Sequence, residues 1–506
     1  MHLSRKSRKP PLPISITSPK NTSCRVPRRP ASSWIPSRLL SLRQRAPPTR
    51  PNRLIMSRST STTKYPSMSY ASKIKEKKLT FGGKALFAAF PAHGEVSIVG
   101  SLAGGVHLAQ GFVCEGIDEC TLSGDVLADM HAAMLLDGTT THTKTEIQIM
   151  LDTLGASFSF SAEKDRLVFH ARVRAVYADK LLSLIAECLR ESVFPQEELI
   201  HLKSRMIADL SLESQNPHEQ ASINLSRTLF SIRHPNRQED TMQSKLAVEQ
   251  MTRKELQEYH AYAIDRRLLV ISVAGDMKRD KAFALVEKHF SKLPQRDVVI
   301  PPYDPSKPIK ARTSVTAIPD KASIDYMLGV ATGITNTHPD FPPLLLGLQV
   351  LGSRSGFTGR LMQIVREIEG LTYGVYAYPG GFSYGTDGYV AIWGTFAPAL
   401  FSQGRTSILR EIKRIVDDGP TSEEVRKHRE MYEARSRVLC ANSGALARVA
   451  HDIAVEGKKP SYLDEFPQRI LKLTKGQVHK ALKKYLVIEN LSESAAGPIE
   501  HLDKIS

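Results

Sequence analysis

The chain has 506 residues and a formal charge of +17, enough length for two or more domains with sizeable cores and enough charge to raise nucleic acid or an anionic membrane as partners. That argument fails on the distribution: residues 1–75 hold 17 Lys and Arg and no acid, and removing those 17 from the chain's 69 leaves 52, equal to its 52 Asp and Glu. The body is therefore formally neutral, which removes the case for nucleic acid, and no apolar run of about 18 residues occurs that would span a membrane.

Residues 1–77 form a basic extension rich in Ser, Thr and Pro, from Pro10-Pro11 through Pro47-Pro48 to the serines around Ser59. Arg-rich, Ser-rich and acid-free composition is that of an organelle transit peptide, with the mitochondrion ahead of the plastid. The other readings are a disordered basic tail, or a true start at Met56 that would leave the chain cytoplasmic. The prolines confine an amphipathic presequence helix to residues 37–45. A secretory h-region is missing. The cysteines, Cys24, Cys114, Cys120, Cys188 and Cys440, are odd in number and include no Cys-x-x-Cys pair, so neither a disulfide framework nor a cysteine zinc site is expected. Cys114 and Cys120 are read as two thiols.

After the extension, residues 95–102 read as a strand and 122–136 as a helix. Residues 144–154 form a second helix stopped by Gly155, and strands at 157–160 and 166–173 follow as a hairpin-like pair. The second part of the chain repeats this order, with a strand at 324–331, helices at 341–351 and 359–369, and strands at 372–378 and 388–393. Strands followed by runs of helices indicate an α+β fold.

The repetition is also visible in the residues. Met251 to Gly275 aligns without a gap onto Leu473 to Gly497, at an offset of 222 residues, with Thr252/Thr474, Leu269/Leu491, Ser272/Ser494, Ala274/Ala496 and Gly275/Gly497 coinciding. Each copy reads as an N-capping Thr, a short amphipathic helix and an apolar strand ending at Gly. Upstream, the segment from Pro195 through Glu197 and Glu198 echoes that from Pro420 through Glu423 and Glu424, at an offset near 226. A period of this length excludes a solenoid and means two copies of one domain, at 78–292 and 313–500. The segment between them, 293–312, carries Pro294, Pro301, Pro302, Pro305 and Pro308 and reads as a stiff extended linker.

Four segments, in order, resemble the pitrilysin/insulinase family of zinc metallopeptidases, which includes the mitochondrial processing peptidases. Leu127 to Leu135 aligns with the family's inverted zinc helix, His-x-x-Glu-His. Leu154 to Ser159 is similar to the start of its substrate-pairing strand, and Leu269 to Asp276 to the strand that closes its first domain. Arg366-Glu367-Ile368-Glu369-Gly370-Leu371-Thr372-Tyr373 resembles the arginine–tyrosine motif of its second domain. The resemblance runs over about residues 80–500 and implies two homologous pitrilysin-type α+β domains, each a mainly antiparallel sheet packed with helices, together forming half of a clam-shell.

The zinc helix has lost its donors. Zinc requires lone pairs converging from several side chains, which positions i, i+3 and i+4 of a helix supply on one face. Here those positions hold Asp129, Ala132 and Ala133. Ala133 cannot ligate, and Ala132 cannot act as the base that takes a proton from a metal-bound water. The family's third ligand, a glutamate about 76 residues beyond the second histidine, falls at Asp209, an acid one methylene shorter. His131, two residues after Asp129, points about 200° around the helix, and His142 lies past its end. No metal is expected in this chain.

Arg366 and Tyr373, by contrast, keep the family's seven-residue spacing across a helix end, the Gly370 cap and a strand start. The resemblance implies that Tyr373 hydrogen-bonds the oxyanion of a tetrahedral intermediate and that Arg366 holds a substrate backbone carbonyl. From the residues alone, a solvated arginine and one of several strand aromatics with Tyr376 and Tyr378 would look the same. The Gly352–Gly359 turn lacks the Gly-Lys-Ser/Thr ending of a phosphate loop. It also lacks the long glycine-rich run of the processing-peptidase alpha subunit. Sequons at Asn224 and Asn490 say nothing without a secretory signal.

These readings converge on the zinc-lacking subunit of a heterodimeric pitrilysin-family endopeptidase. A related zinc-bearing subunit would be the partner, a peptide the substrate, and zinc a cofactor of the partner only. The rivals are an inert structural subunit, like the core proteins of the respiratory cytochrome bc complex, and a peptide-binding homodimer.

Overall fold

A computed structural model describes residues 69–113, 123–303, 305–307, 309–353, 358–382 and 385–498. The extension up to residue 68 with Cys24, its presequence-helix segment and Met56, the thiols Cys114 and Cys120, Pro308 of the linker and the centre of the Gly352–Gly359 turn all lie outside the described residues. Among the described residues no helix is long and apolar enough to cross a membrane.

Six strands build the first sheet: β1 (Ile74–Lys78), β2 (Lys84–Ala89), β3 (Glu95–Ala103), β4 (Ser157–Ala162), β5 (Arg166–Arg174) and β6 (Leu269–Gly275). Five build the second: β7 (Thr313–Ala317), β8 (Ile324–Ala331), β9 (Gly374–Gly380), β10 (Tyr389–Phe396) and β11 (Ser492–Gly497). The orders are β1-β2-β6-β3-β5-β4 and β7-β11-β8-β10-β9. Without β1, the two sheets have the same topology, each with a single parallel pair, β2/β6 and β7/β11, in an otherwise antiparallel ladder. The duplicated α+β architecture expected from sequence is present.

Helices α1 (Gly105–Val113), α2 (Gly124–Met134), α3 (Lys144–Leu154), α4 (Ala178–Glu191), α5 (Gln196–Glu213), α6 (Pro217–Leu229), α7 (Thr241–Gln250), α8 (Arg253–Ala263) and α9 (Arg279–Phe290) belong to the first half of the chain. The second half contributes α10 (Phe341–Gly352), α11 (Phe401–Asp417), α12 (Ser422–Val438), α13 (Ser443–Val455), α14 (Tyr462–Leu471) and α15 (Lys475–Tyr485). The repeat read from sequence is visible in the caps. Thr252 and Thr474 each close a capping box with the side chain three residues on, Glu255 and Gln477, at the starts of α8 and α15. The strands that follow end at Gly275 and Gly497, whose φ of 139° and 143° explains why both copies keep glycine there.

Each sheet carries two cores. One lies against helices of its own half: Phe87, Ile98, Phe169 and Phe290 in the first, Tyr326, Leu348, Ile392 and Ile412 in the second. On the opposite face the halves exchange a helix. From the second half, α13 lays Leu446, Ala447, Ala450 and Ala454 against Leu86, Ala88, Val99 and Ala274 of the first sheet. In return, α6 lays Ala221, Leu225 and Leu229 against Met327, Ala331 and Ala496 of the second. The exchanged helices begin 226 residues apart, each on an Asn N-cap, Asn216 and Asn442. Polar contacts repeat the exchange: Ser97 Oγ to Ser443 Oγ at 2.9 Å, Ser101 Oγ to His451 Nε2 at 2.7 Å, and Asn224 Nδ2 donating to Thr316 Oγ1 at 2.7 Å. Covered on both faces, β8 is buried along its whole length, so apart from the buried Asp325 it reads as an apolar run rather than an alternating one.

Several expectations need correction. Residues 74–77, assigned to the extension, form most of β1 and pair with β2. The contiguous domains 78–292 and 313–500 each lend a helix to the other. The linker, read as stiff and extended, also packs on the body: Tyr303 lies edge-on against His107 and His234, and Ser306 donates its backbone N–H to Asp387 at 3.0 Å. The strand expected at 372–378 begins at Gly374 instead, leaving Thr372 and Tyr373 in the preceding turn.

Candidate functional site

The α2 helix starts where its sequence says it should. Ser123 Oγ accepts the N–H of Val126 at 3.2 Å, and Asp125 sits in the first turn, where the helix dipole favours an acid. Its core stripe is Val126, Leu127, Met130 and Met134, all buried. His131 faces that core too, 2% exposed and hydrogen-bonded to His260 at 2.9 Å; burial holds the imidazoles of both below their ordinary range, His260 at about 4. His142 leaves the helix and bonds Glu187 at 2.8 Å. Neither histidine rejoins Asp129.

At the three family ligand positions and the base position the residues do not fit a zinc site. Ala132 is buried and Ala133 exposed, neither with a donor atom, and Asp209 is exposed on α5. Asp129 alone faces a cavity of about 470 Å³, whose α5 wall is Met206, Leu210 and Glu213 rather than Asp209. Among the described residues no group of three or more His, Cys, Asp or Glu side chains is placed to hold a metal, which fits a zinc-lacking chain.

What the cavity does contain is negative charge. Asp125, Asp129, Glu163, Glu213 and Glu239 line it, against Lys164, whose Nζ lies 3.8 Å from Asp125 Oδ1. Asp129 is exposed but opens into this concavity, where protein replaces much of the water around it. That desolvation, with the nearby Asp125 charge adding to it, pushes its carboxyl up to about 6. Burial likewise raises Glu213 and Glu239, helped by Glu219 and Asp125 respectively. Sequence reasoning named only Asp129 of this group. The four-residue spacing of Asp125 and Asp129 on one helix face was the available signal; Glu163, Glu213 and Glu239 come from separate elements and share none.

Beside the cavity runs β4, the edge of the first sheet, pairing only with β5. Ser157, Ser159 and Ser161 are exposed while Phe158, Phe160 and Ala162 turn inward, and Ala162 continues into the cavity wall. An edge strand presents unpaired backbone groups to an extended peptide.

In the second half, Arg366 lies in a π-helical turn, Met362–Ile368, rather than the regular helix expected at 359–369; such turns recur at functional sites. The turn ends at Gly370 with φ 65°, and Glu369 is held there by Ser407 and Arg410. Thr372 Oγ1 accepts the N–H of Gly374 at 3.1 Å and donates to the Thr395 carbonyl. These contacts place the Tyr373 ring 5.0 Å from the Arg366 guanidinium carbon, a cation–π pair. Arg366 is half-buried and also meets Glu367 at 3.6 Å, whereas Tyr373 is 83% exposed. A large aromatic held in place yet presented to solvent is what a contact residue for another molecule requires. The structure therefore brings Arg366 and Tyr373 together, and neither lines the acidic cavity of the first half.

Comparison with known proteins gives two family models in chain order. Residues 127–239 match "Insulinase (Peptidase family M16)" and residues 250–432 match "Peptidase M16 inactive domain". An uncharacterised zinc protease of Mycobacterium leprae is 24% identical over 296 residues, covering 58% of this chain and 65% of that protein, so the chain spans just under two thirds of that relative's length. One from Rickettsia felis is 22% identical over 347 residues, covering 67% and 79%. Among solved structures, the peptidase M16 inactive domain of Pseudomonas fluorescens superposes with a TM-score of 0.73 at 24% identity, covering 84% of this chain and 98% of that one. A protease from Helicobacter pylori superposes with a TM-score of 0.74 at 16% identity, covering 84% and 99%. These likenesses share the two-sheet fold described above, and the chain is a homologue of the insulinase/pitrilysin peptidases with the family's inactive-type domain in its second half.

Proposed function

We propose that this chain is the non-zinc subunit of a heterodimeric insulinase/pitrilysin-type endopeptidase, in which it binds peptide and completes a partner's active site. The observation that carries this reading is the contrast between two motifs of one chain. Ala132 and Ala133 replace the base and a ligand on α2, while Arg366 and Tyr373 are held as a stacked pair with Tyr373 presented outward. An inert architectural subunit has no use for an ordered, exposed tyrosine of that kind. In the heterodimer the partner supplies the zinc. Tyr373 would donate its hydroxyl hydrogen to the developing oxyanion, and Arg366 would hold a substrate carbonyl. The open edge of β4 and the adjoining acid-lined cavity favour an extended peptide with a basic side chain. The extension, on this reading, directs the chain to the mitochondrion.

The test is co-expression with a related chain from the same genome that carries an intact His-x-x-Glu-His helix. Cleavage of a basic peptide is expected only in the mixture. Tyr373→Phe should lower kcat by about 10²–10³, the scale of losing one oxyanion donor, with little effect on assembly by gel filtration. Cleavage that is unchanged in both Tyr373→Phe and Arg366→Ala mixtures would remove the mechanism.

A further inference from the structure

On the face of the second sheet where α6 covers β8 and β11, a cavity of about 290 Å³ lies over β9 and β10. Its described lining is four rings: Tyr376 and Tyr378 of β9, Trp393 of β10, and His218 from the first turn of α6. It shares no lining residue with the acidic cavity or the Arg366/Tyr373 pair. The period of two along β9 puts Tyr376 and Tyr378 on one face, and the strand register sets Trp393 opposite Tyr376. The Trp393 and Tyr376 rings are nearly parallel, 12° apart with centroids at 5.4 Å, and His218 stands at 87° to Trp393 with centroids at 5.2 Å. All four side chains are half-buried. The faces of such rings carry negative potential, and that of tryptophan attracts cations best.

A buried carboxylate adds to that potential. Asp325 of β8 is 6% exposed, and its Oδ1 accepts the Trp393 Nε1–H at 2.7 Å, a hydrogen bond that polarises the indole. Among the described residues no Lys or Arg pairs with Asp325, whose ion-pair contact is the His218 imidazole at 3.5 Å. The positive end of α6 is offset by its cap: Asn216 Oδ1 accepts the His218 N–H at 3.0 Å, Pro217 has no N–H, and Glu219 lies in the first turn. The described lining holds no Lys or Arg that would receive an anion. The site attracts positive charge.

The wall also selects the kind of cation. The carboxylate meets the indole at its N–H edge and is not part of the lining. A primary ammonium or guanidinium buried here would therefore leave N–H groups short of acceptors. A quaternary ammonium has no N–H to satisfy and presents methyl groups to the ring faces, the pairing that aromatic cages favour. The volume is at the lower end of small-molecule sites.

We propose that this cavity binds a quaternary ammonium group, such as the trimethylammonium of choline, against Trp393, Tyr376 and Tyr378. This is independent of the heterodimer reading. The experiment is titration of the full chain at about pH 8, above the range in which imidazole ordinarily takes a proton. Binding is followed by Trp393 fluorescence in a Trp34→Phe background, since these are the two tryptophans. The probes are choline, ethanolamine and 3,3-dimethylbutanol, the uncharged carbon isostere of choline. Choline should bind about tenfold more tightly than either of the others, and Tyr376→Leu should weaken it by about tenfold. Asp325→Asn should weaken choline severalfold and leave the isostere unchanged. Co-sedimentation with phosphatidylcholine vesicles that free choline reverses assigns the group to a lipid headgroup; its absence assigns it to a dissolved molecule. Equal affinity for choline and its isostere, or for choline and ethanolamine, overturns the proposal, as does choline affinity unchanged in Tyr376→Leu or in Asp325→Asn, each folded by circular dichroism. Should Asp325→Asn not fold, Tyr376→Leu and the comparison of the three probes decide.

Discussion

The exchange of α6 and α13 can be tested at one contact. Leu225 of α6 is 2% exposed and reaches into the hollow that Gly329 leaves on β8. A methyl added at Gly329 would lie 2.9 Å from Leu225 Cδ2 and 3.1 Å from the Val390 carbonyl oxygen. Leu225→Ala removes a fully buried side chain opposite a position with nothing to fill the gap. A cost in the upper part of the usual range, about 3–5 kcal/mol, follows from transfer plus cavity terms. In the native background Gly329→Ala overpacks the same spot, at about 1–3 kcal/mol. In the Leu225→Ala background the contact with Leu225 is gone and the new methyl refills part of the void, while the 3.1 Å approach to the Val390 carbonyl oxygen remains, so Gly329→Ala should cost about 1 kcal/mol less than in the native background. Urea unfolding of the four proteins, followed by circular dichroism, gives the double-mutant cycle. The cost of Gly329→Ala should be smaller in the Leu225→Ala background. An equal Gly329→Ala cost in both, or a Leu225→Ala cost below about 1 kcal/mol, would refute the packing of α6 on the second sheet.

Three further outcomes follow from the polar interior. Burial pushes the Asp165 carboxyl up to about 8, and its Oδ1 has no hydrogen-bond partner. The unfolded chain ionises near pH 4, so this group favours the fold fully below that value and loses its contribution as pH rises toward 8. Asp165→Asn should therefore stabilise at neutral pH by about 1–3 kcal/mol and be neutral below about pH 4, read from urea midpoints; a gain that persists in acid would contradict it. Ser101 Oγ serves both Arg166 Nε, donating at 2.6 Å, and His451 Nε2 at 2.7 Å in a buried site, so Ser101→Ala should cost about 2–3 kcal/mol by the same measurement. With Asp129 raised to about 6, the acidic cavity loses charge as pH falls through that value; affinity for an Arg-containing peptide, measured by fluorescence anisotropy, should drop there, and the drop should be smaller in Asp129→Asn.

Local chemistry was legible in the sequence because it is written in neighbouring residues. The capping boxes at Thr252 and Thr474, the matching glycines at Gly275 and Gly497 and the apolar periodicity of each element depend on spacings of two to four positions, and the structure follows them. The loss of donors at Ala132 and Ala133 needs no fold at all, since alanine has no lone pair to offer a metal.

What tertiary structure decided lies between segments distant in the chain. Nothing near Asn216 or Asn442 says that α6 and α13 pack on each other's sheet; that depends on which apolar faces are left uncovered once each half has folded. Counting residues placed Asp209 at the third metal position, whereas helix rotation on α5 turns Met206, Leu210 and Glu213 to the cavity instead. Glu163 and Glu239 join Asp125 and Asp129 only through the meeting of α2, the end of β4 and the segment before α7. The seven-residue interval marked Arg366 and Tyr373, but the π turn, the Glu369 contacts and the displaced start of β9 stack the two side chains. Sequence spacing determines which chemistry is possible on one element, because side-chain direction there is set by local geometry. Burial, charge crowding and contact across elements belong to the assembled fold, where most contacting groups are far apart along the chain.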